Sequence, residues 1–453
     1  MARRWTSLWA FSALPKKRRA TTTDLKRVDG NPPSSPGHFS EGLSMNDMTA
    51  AAVAEGARAP QTALQMLPDD GLQGTLVGRV WLPQGAVPGP AVVALRPEGV
   101  FDLCAHYPTM STLLDTPAPA EAARAAPGQY LCSVEDLLAN SQPGTRDTSR
   151  PWLLAPCDLQ VVKAAGVTFA ASLIERVIEE QARGDATRAQ GLRSQVIGLI
   201  GQNLADIRPG SPEAMRLKAL LQDQGLWSQY LEVGIGPDAE VFTKAPVLAS
   251  VGCGDDIGIR SDSAWNNPEP EVVLAVNSRG QIVGATLGND VNLRDIEGRS
   301  ALLLGKAKDN NASCALGPFI RLFDASFGLE QVRSETVHLR VAGPDGFELR
   351  GINTMASISR DPTDLVAQTL AAHQYPDGFM LFLGTLFAPI EDRGQPGGGF
   401  THQLGDLVSI QSAWLGGLHN RVAHSEAAPP WRFGLRAFMT NLAQRGLLHR
   451  AAL

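Results

Sequence analysis

Long apolar runs are missing: no stretch of about 18 apolar residues appears, which leaves nothing to span a membrane as a helix. Cysteine is sparse. The five present (Cys104, Cys132, Cys157, Cys253, Cys314) are isolated and odd in number, and no CxxC pair exists. That pattern points to neither a zinc site nor a disulfide framework, but to small core residues in a reduced, cytoplasmic protein. Excess positive charge is also lacking. A net charge of −6 carries no electrostatic footprint for nucleic acid. The glycines of VGIGPDAE and VGCGDDIG miss GxGxxG, and neither a GxSxG elbow nor a P-loop occurs. The eight histidines are dispersed, and His402 and His424 read as surface or supporting residues. No internal repeat is present.

What is there is enough chain for two or three domains, 453 residues with 43% hydrophobic content. The first 27 residues hold eight Lys or Arg against one acid, Asp24, and a Pro/Ser/Gly stretch follows. Residues 1–70 therefore read as a disordered basic tail, or as a start placed too early, with Met45 or Met48 as the working start. From Leu72, short alternating runs with Gly and Pro turns predict a small N-terminal β domain over 71–155. The remaining body, 156–453, opens with a helical pattern over 161–230, in which Ser211 and Pro212 read as an N-cap and first helical position. Strand- and turn-rich sequence follows.

The stretch NNPEPEVVLAV sets Glu269 and Glu271 against an apolar run. In a strand, residues i and i+2 share a face, so the two carboxylates project side by side and repel. A hard divalent cation with oxygen ligands resolves that repulsion. Asn277 to Gly280 reads as a hairpin turn that returns Asp290 towards Glu269. A two-residue loop puts Asp290 on the glutamates' face, whereas a bulge at Gly280 reverses the parity. Spacing alone also allows Glu269 and Glu271 to be solvated positions on an edge strand.

Several ordered motifs surround this pair: FTKAP (242–246), EPE (269–271), GNDV with RD (288–295), LGKAKD (304–309), ALGPF (315–319), LGT (383–385) and GDLVSIQSAWLGGLHNRV (405–422). In order and approximate spacing they resemble the fumarylacetoacetate hydrolase superfamily. The resemblance implies a β-rich α+β fold, a mixed β-roll with a small N-terminal β domain and a helical lid segment, in a homodimer or homotetramer. It implies Glu269, Glu271 and Asp290 as ligands of Mg²⁺ or Mn²⁺. It also implies Lys306 as the active-site lysine, Arg294 as the group that binds the substrate carboxylate, and Thr385 as a substrate contact.

A divalent ion held by three carboxylates acts as a Lewis acid towards a 2-oxo acid, favouring an enolate at C3. That intermediate serves C–C hydrolysis, decarboxylation and elimination alike, so the metal site does not choose the reaction. The lid does. Where the family's hydrolases carry G-x-N-Y-x-x-H-x-x-E, this chain has GVTFAASLIE, with Ser172 at the histidine position and Glu175 kept; Glu179 lies one helical turn further. The loss of a His–Glu pair that would activate water disfavours the alternative, a hydrolase or decarboxylase cleaving a C–C bond of an acylpyruvate or other 2-oxo acid. SLIERVIEE, GIRSDSAWNNPEPE, GKAKDNNASCALGPF and GTLFAP instead resemble the branch that dehydrates 2-keto-3-deoxy sugar acids. The expected reaction is dehydration of a 2-dehydro-3-deoxy-D-pentonate to 2-oxoglutarate semialdehyde, with Lys306 or Glu175 taking the C3 proton. His373, Gln374 and Tyr375 are further candidates for the pocket.

Overall fold

The Val/Ile/Leu-rich segments form strands, and the strands form two large sheets. In a computed structural model, residues 65–144, 146–196, 207–223, 227–394 and 399–448 are described, all within one unit, Ala52–Leu453. The expectation of a disordered tail thus lies mostly outside the described residues. Of its last six, Met66 is buried and Asp70 forms an ion pair with Arg321 at 2.6 Å.

In chain order the strands begin β1 (Leu76–Leu82), β2 (Gly89–Arg96), β3 (Gly99–Asp102), β4 (Gln129–Cys132), β5 (Trp152–Leu154) and β6 (Val161–Gly166). They continue with β7 (Glu240–Ala245), β8 (Asp256–Ile259), β9 (Asn266–Asn267), β10 (Pro270–Val276), β11 (Ile282–Asp290) and β12 (Asn292–Leu293). The last six are β13 (Cys314–Leu322), β14 (Thr336–Ala342), β15 (Glu348–Thr354), β16 (Phe379–Phe382), β17 (Leu407–Ser412) and β18 (Gly416–His424).

The larger sheet has the order β4-β3-β2-β1-β13-β11-β10-β16-β6-β7, with β5 also paired to β1. Its pairings are antiparallel except β16 with β6. The smaller runs β15-β14-β17-β18-β8. The two stack face to face where β10 meets β14 and β11 meets β17 and β18. All seven residues of β10 are buried, in keeping with the unbroken apolar run VVLAV that follows Glu271.

Two expectations change here. The strands of 71–155 do not close a sheet of their own: β1 pairs directly with β13, so they extend the main sheet. Nor is 161–230 helical throughout. Val161–Gly166 is strand β6, set between β16 and β7, and the helix starts only at Ala170. Helices Ala170–Ala182, Ala186–Val196, Pro212–Asp223 and Gln229–Ile235 then build a second apolar cluster around Leu173, Val177, Ile178, Leu231 and Trp265. Ser211 does cap its helix, accepting from the Ala214 N–H at 3.1 Å. The cysteines are free thiols, four of them buried.

Candidate active site

The hairpin of β10 and β11 builds the centre. Its turn closes with the Asn277 N–H donating to the Gln281 carbonyl, and Gly280 has φ +74°. A register shift at Ala275/Val276 leaves Val283 as an extra residue on β11, because Ala275 faces Gly284 but Val276 faces Ile282. Without that bulge Asn289 would face Glu269. With it, Pro270 faces Asn289, Glu271 faces Gly288, and the Asp290 N–H donates to the Glu269 carbonyl at 3.0 Å. The bulge, at Val283 rather than Gly280, brings Asp290 onto the glutamates' face.

Glu269, Glu271 and Asp290 are all buried, and one oxygen from each lies within 4.8 Å of the others. Two glycines make room. Gly288, opposite Glu271, carries no Cβ because one would lie 2.3 Å from the Phe382 ring. Gly384 of LGT takes φ +92° and donates its N–H to Glu271 Oε2 at 2.6 Å. A Cβ there would sit 2.0 Å from Thr168 Oγ1.

Cations surround two of the three carboxylates. Lys308 Nζ donates to Glu269 Oε2 at 2.5 Å and Asp290 Oδ2 at 3.1 Å, and Lys244 Nζ lies 2.9 Å from Asp290 Oδ1. Arg176 donates to Glu269 Oε1 at 2.6 Å and to Glu179 at 2.8 Å, and sits 3.0 Å from Glu297. Burial alone would raise the Asp290 carboxyl, but Lys244 and Lys308 overturn it and hold it below its usual value. Glu271 has no such partner. Burial raises it, and the neighbouring Asp290 and Glu269 charges raise it further, with Lys308 and the Gly384 N–H offsetting little. Glu240, on the flanking strand β7, is pushed up to about 7 by burial and by Glu297.

The linked network holds seven carboxylates (Glu175, Glu179, Glu240, Glu269, Glu271, Asp290, Glu297) against five cations (Arg176, Arg193, Lys244, Arg294, Lys308). More carboxyl groups than cations, with three hard oxygen donors converging, fit a divalent cation held by Glu269, Glu271 and Asp290.

A small cavity opens beside Glu269, and five of the residues expected from sequence line it: Ser172, Glu175, Glu269, Arg294 and Thr385. Arg176, Glu179, Asn267, Phe387 and Ala388 complete the wall. The helix Ala170–Ala182 buries Leu173, Ile174, Val177 and Ile178, which turns Glu175, Arg176 and Glu179 towards the carboxylates. Glu175 accepts from Arg193 at 2.7 Å and from Arg294 at 3.1 Å. Arg294 also donates to Glu179 at 2.7 Å and to the Pro389 carbonyl at 2.9 Å, and stacks 4.2 Å over the Trp265 ring. Ser172 donates to the Phe169 carbonyl at 3.0 Å, not to Glu175.

Lys306 is the correction. Its ammonium lies on the surface, 39% exposed, and pairs with Asp262 at 3.0 Å. The lysine at the carboxylates is Lys308, two residues on. On the helix Leu304–Lys308 positions i and i+2 point to nearly opposite sides, so only one lysine of GKAK can face inward. Lys244 in FTKAP and Arg176 in LIERV were also missed, although both lie in stretches that carried the resemblance. His373 and Tyr375 stack on each other at 4.6 Å and do not line the cavity. His402 is buried against Asp406, 3.1 Å away, as a supporting residue.

The fold is strand-rich mixed α/β without a closed barrel, and it is shared with solved dehydratase structures. A hexagonal crystal form of 2-keto-3-deoxyarabinonate dehydratase superposes with TM-score 0.54 at 21% identity, covering 77% of this chain and 98% of that one. A 2-keto-3-deoxy-D-arabinonate dehydratase complexed with magnesium and 2,5-dioxopentanoate gives TM-score 0.53 at 20% identity, over 77% and 99%. In sequence, 2-dehydro-3-deoxy-D-arabinonate dehydratase of Saccharolobus solfataricus is 32% identical over 155 residues, 34% of this chain and 51% of that one. A probable 2-keto-3-deoxyxylonate dehydratase of Haloferax volcanii is 34% identical over 203 residues, 44% and 66% respectively. The matches thus span about half to two thirds of the curated relatives' length. No family model matches the chain. Both comparisons fall in the dehydratase branch that the motifs resemble.

Proposed function

We propose that the protein is a divalent-metal-dependent hydro-lyase that dehydrates a 2-dehydro-3-deoxy-pentonate to 2-oxoglutarate semialdehyde. The observation that carries this reading is the buried Glu269–Glu271–Asp290 cluster beside a cavity lined by Glu175, Arg294 and Thr385. Sequence similarity to two proteins named as dehydratases of such acids supports it.

Mg²⁺ at the three carboxylates supplies Lewis acidity towards the C2 carbonyl, which makes the C3 protons acidic. The chain's own residues do the rest. Arg294 and Thr385 orient the acid in the cavity. Glu175, held between Arg193 and Arg294, accepts a C3 proton; its electron pair forms the C3–C4 double bond, and the C4 oxygen leaves as water with a proton from Lys308. Loss of a C5 proton and return of one to C3 give the C4–C5 enol, which loses its hydroxyl proton as C4 takes one up, yielding the C5 aldehyde. Lys308 stands in place of Lys306 as the lysine of the site, but as the proton donor to the leaving oxygen rather than as the base expected at C3. Ser172, bonded to the backbone, presents no imidazole to activate water, which disfavours the alternative of C–C hydrolysis.

The test is reconstitution. Protein stripped with a chelator and given Mg²⁺ and 2-keto-3-deoxy-D-xylonate should form a trappable 2-oxoglutarate semialdehyde, and no product without the metal. Metal-independent turnover, or pyruvate with glycolaldehyde, would overturn the proposal.

A further inference from the structure

We infer that Asn267 and Asn292 form the subsite for the terminal C5 hydroxyl of the substrate, an inference that rests on the function proposed above. Alternation places 267, 269 and 271 on one face of the entering strand and 288, 290 and 292 on the same face of the returning one. The rungs are then Glu271 with Gly288, Glu269 with Asp290, and Asn267 with Asn292, the last pair being register partners of β9 and β12. The asparagines are the rung next to the cation ligands.

Both side chains are buried, and three of their four polar atoms have no partner among the described residues. Asn292 is fully buried, and neither its Oδ1 nor its Nδ2 has a hydrogen-bond partner among the described residues. Asn267 lines the cavity and spends its Nδ2 on the Pro268 carbonyl at 2.9 Å, while its Oδ1 is buried without a described partner. Buried polar atoms left unpaired are costly, so three on one rung mark a place that a ligand completes.

The chemistry selects the hydroxyl. Adjacent rungs on one face lie about 7 Å apart, the reach of a five-carbon acid whose 2-oxo end sits at the carboxylates. A carboxamide accepts and donates hydrogen bonds but has no proton to give a leaving group. It therefore suits the C5 hydroxyl, which stays, rather than the C4 hydroxyl, which leaves. Asn267 Oδ1 accepts the hydroxyl proton and Asn292 Nδ2 donates to its oxygen, fixing C5 for the tautomerisation that makes it an aldehyde.

The experiment compares kcat/KM for the pentonate and for its 5-deoxy analogue, 4-hydroxy-2-oxopentanoate, in Mg²⁺-loaded wild type and in the variants N267L, N292L and the double variant. Wild type should prefer the pentonate by on the order of 10- to 100-fold, and the preference should collapse towards one in the variants with unchanged melting temperature. If leucine misfolds, N267A and N292A read the same ratio. Variants that keep the wild-type preference, or that lose both substrates equally together with thermal stability, overturn the inference alone. Wild type that turns over neither substrate sinks the proposed function, and this subsite with it.

Discussion

A buried carboxylate keeps its charge only where something opposes it, and the site divides its acids on that basis. Glu269 and Asp290 lean on Lys308, Arg176 and Lys244, while Glu271 has one backbone N–H. Lys308 holds two carboxylates at once, so Lys308→Ala should lower kcat by about 10²- to 10⁴-fold. Lys306→Ala, on an exposed pair with Asp262, should change it less than about twofold; equal losses in steady-state assays would reject the assignment. Glu240 carries a pH signature. Its folded value of about 7 exceeds the ordinary 4.5, so the folded metal-free protein keeps a proton that the unfolded chain gives up. The stability this brings is full below about pH 4.5 and is lost as pH rises to about 7. In chelator, Glu240→Gln should flatten the fall in melting temperature across that window; an unchanged slope would contradict it. At this scale two-residue spacing and like-charge cost marked Glu269 and Glu271 as a candidate pair, while Asp290 came from the family resemblance, its parity left open by the hairpin. Lys306 against Lys308 was not legible: choosing between them requires the phase of a five-residue helix, which packing decides.

Among the elements, the helix Ala170–Ala182 is tied to the carboxylate site by Arg176, and by Arg294 through Glu175 and Glu179. Arg176 bridges Glu179 on its own helix to Glu269 and Glu297 on the strand side. Arg176→Met takes from Glu297 its ion pair, and from Glu269 and Glu179 one of two cations each, and should cost about 3 kcal/mol or more of stability in chemical denaturation. Amide exchange over 170–182 should quicken with it; protection equal to wild type would show that the helix is seated without Arg176. The hairpin was readable from its turn residues, yet its parity depended on a bulge at Val283, beside Gly284, rather than at the turn glycine Gly280. VVKAAG fell within the bounds 161–230 set for the helical segment, although the helical periodicity was read from ASLIERVIEE onward. Pairing on both sides, with β16 and β7, makes it a strand.

At the scale of the whole molecule, the N-terminal strands continue the main sheet. Strand β1 lies against β13, whose other neighbour β11 carries Asp290, so 71–155 are two strands from the carboxylates. A chain starting at residue 156 loses the buried Val77, Val80, Val92 and Val93 from the core and bares the edge of β13. It should show no cooperative melting transition by circular dichroism; a normal transition would restore the separate domain. Composition could mark 71–155 as β-rich, but not which sheet it joins, since strand partners distant in sequence leave no local trace. The central claim is that this site expels water rather than cleaving carbon from carbon. ¹³C NMR of the Mg²⁺-loaded protein with 2-keto-3-deoxy-D-xylonate labelled at C3 tests it directly. The label should end in a methylene of a five-carbon 2-oxo acid aldehyde; a labelled methyl of pyruvate, or untouched substrate, would contradict the account.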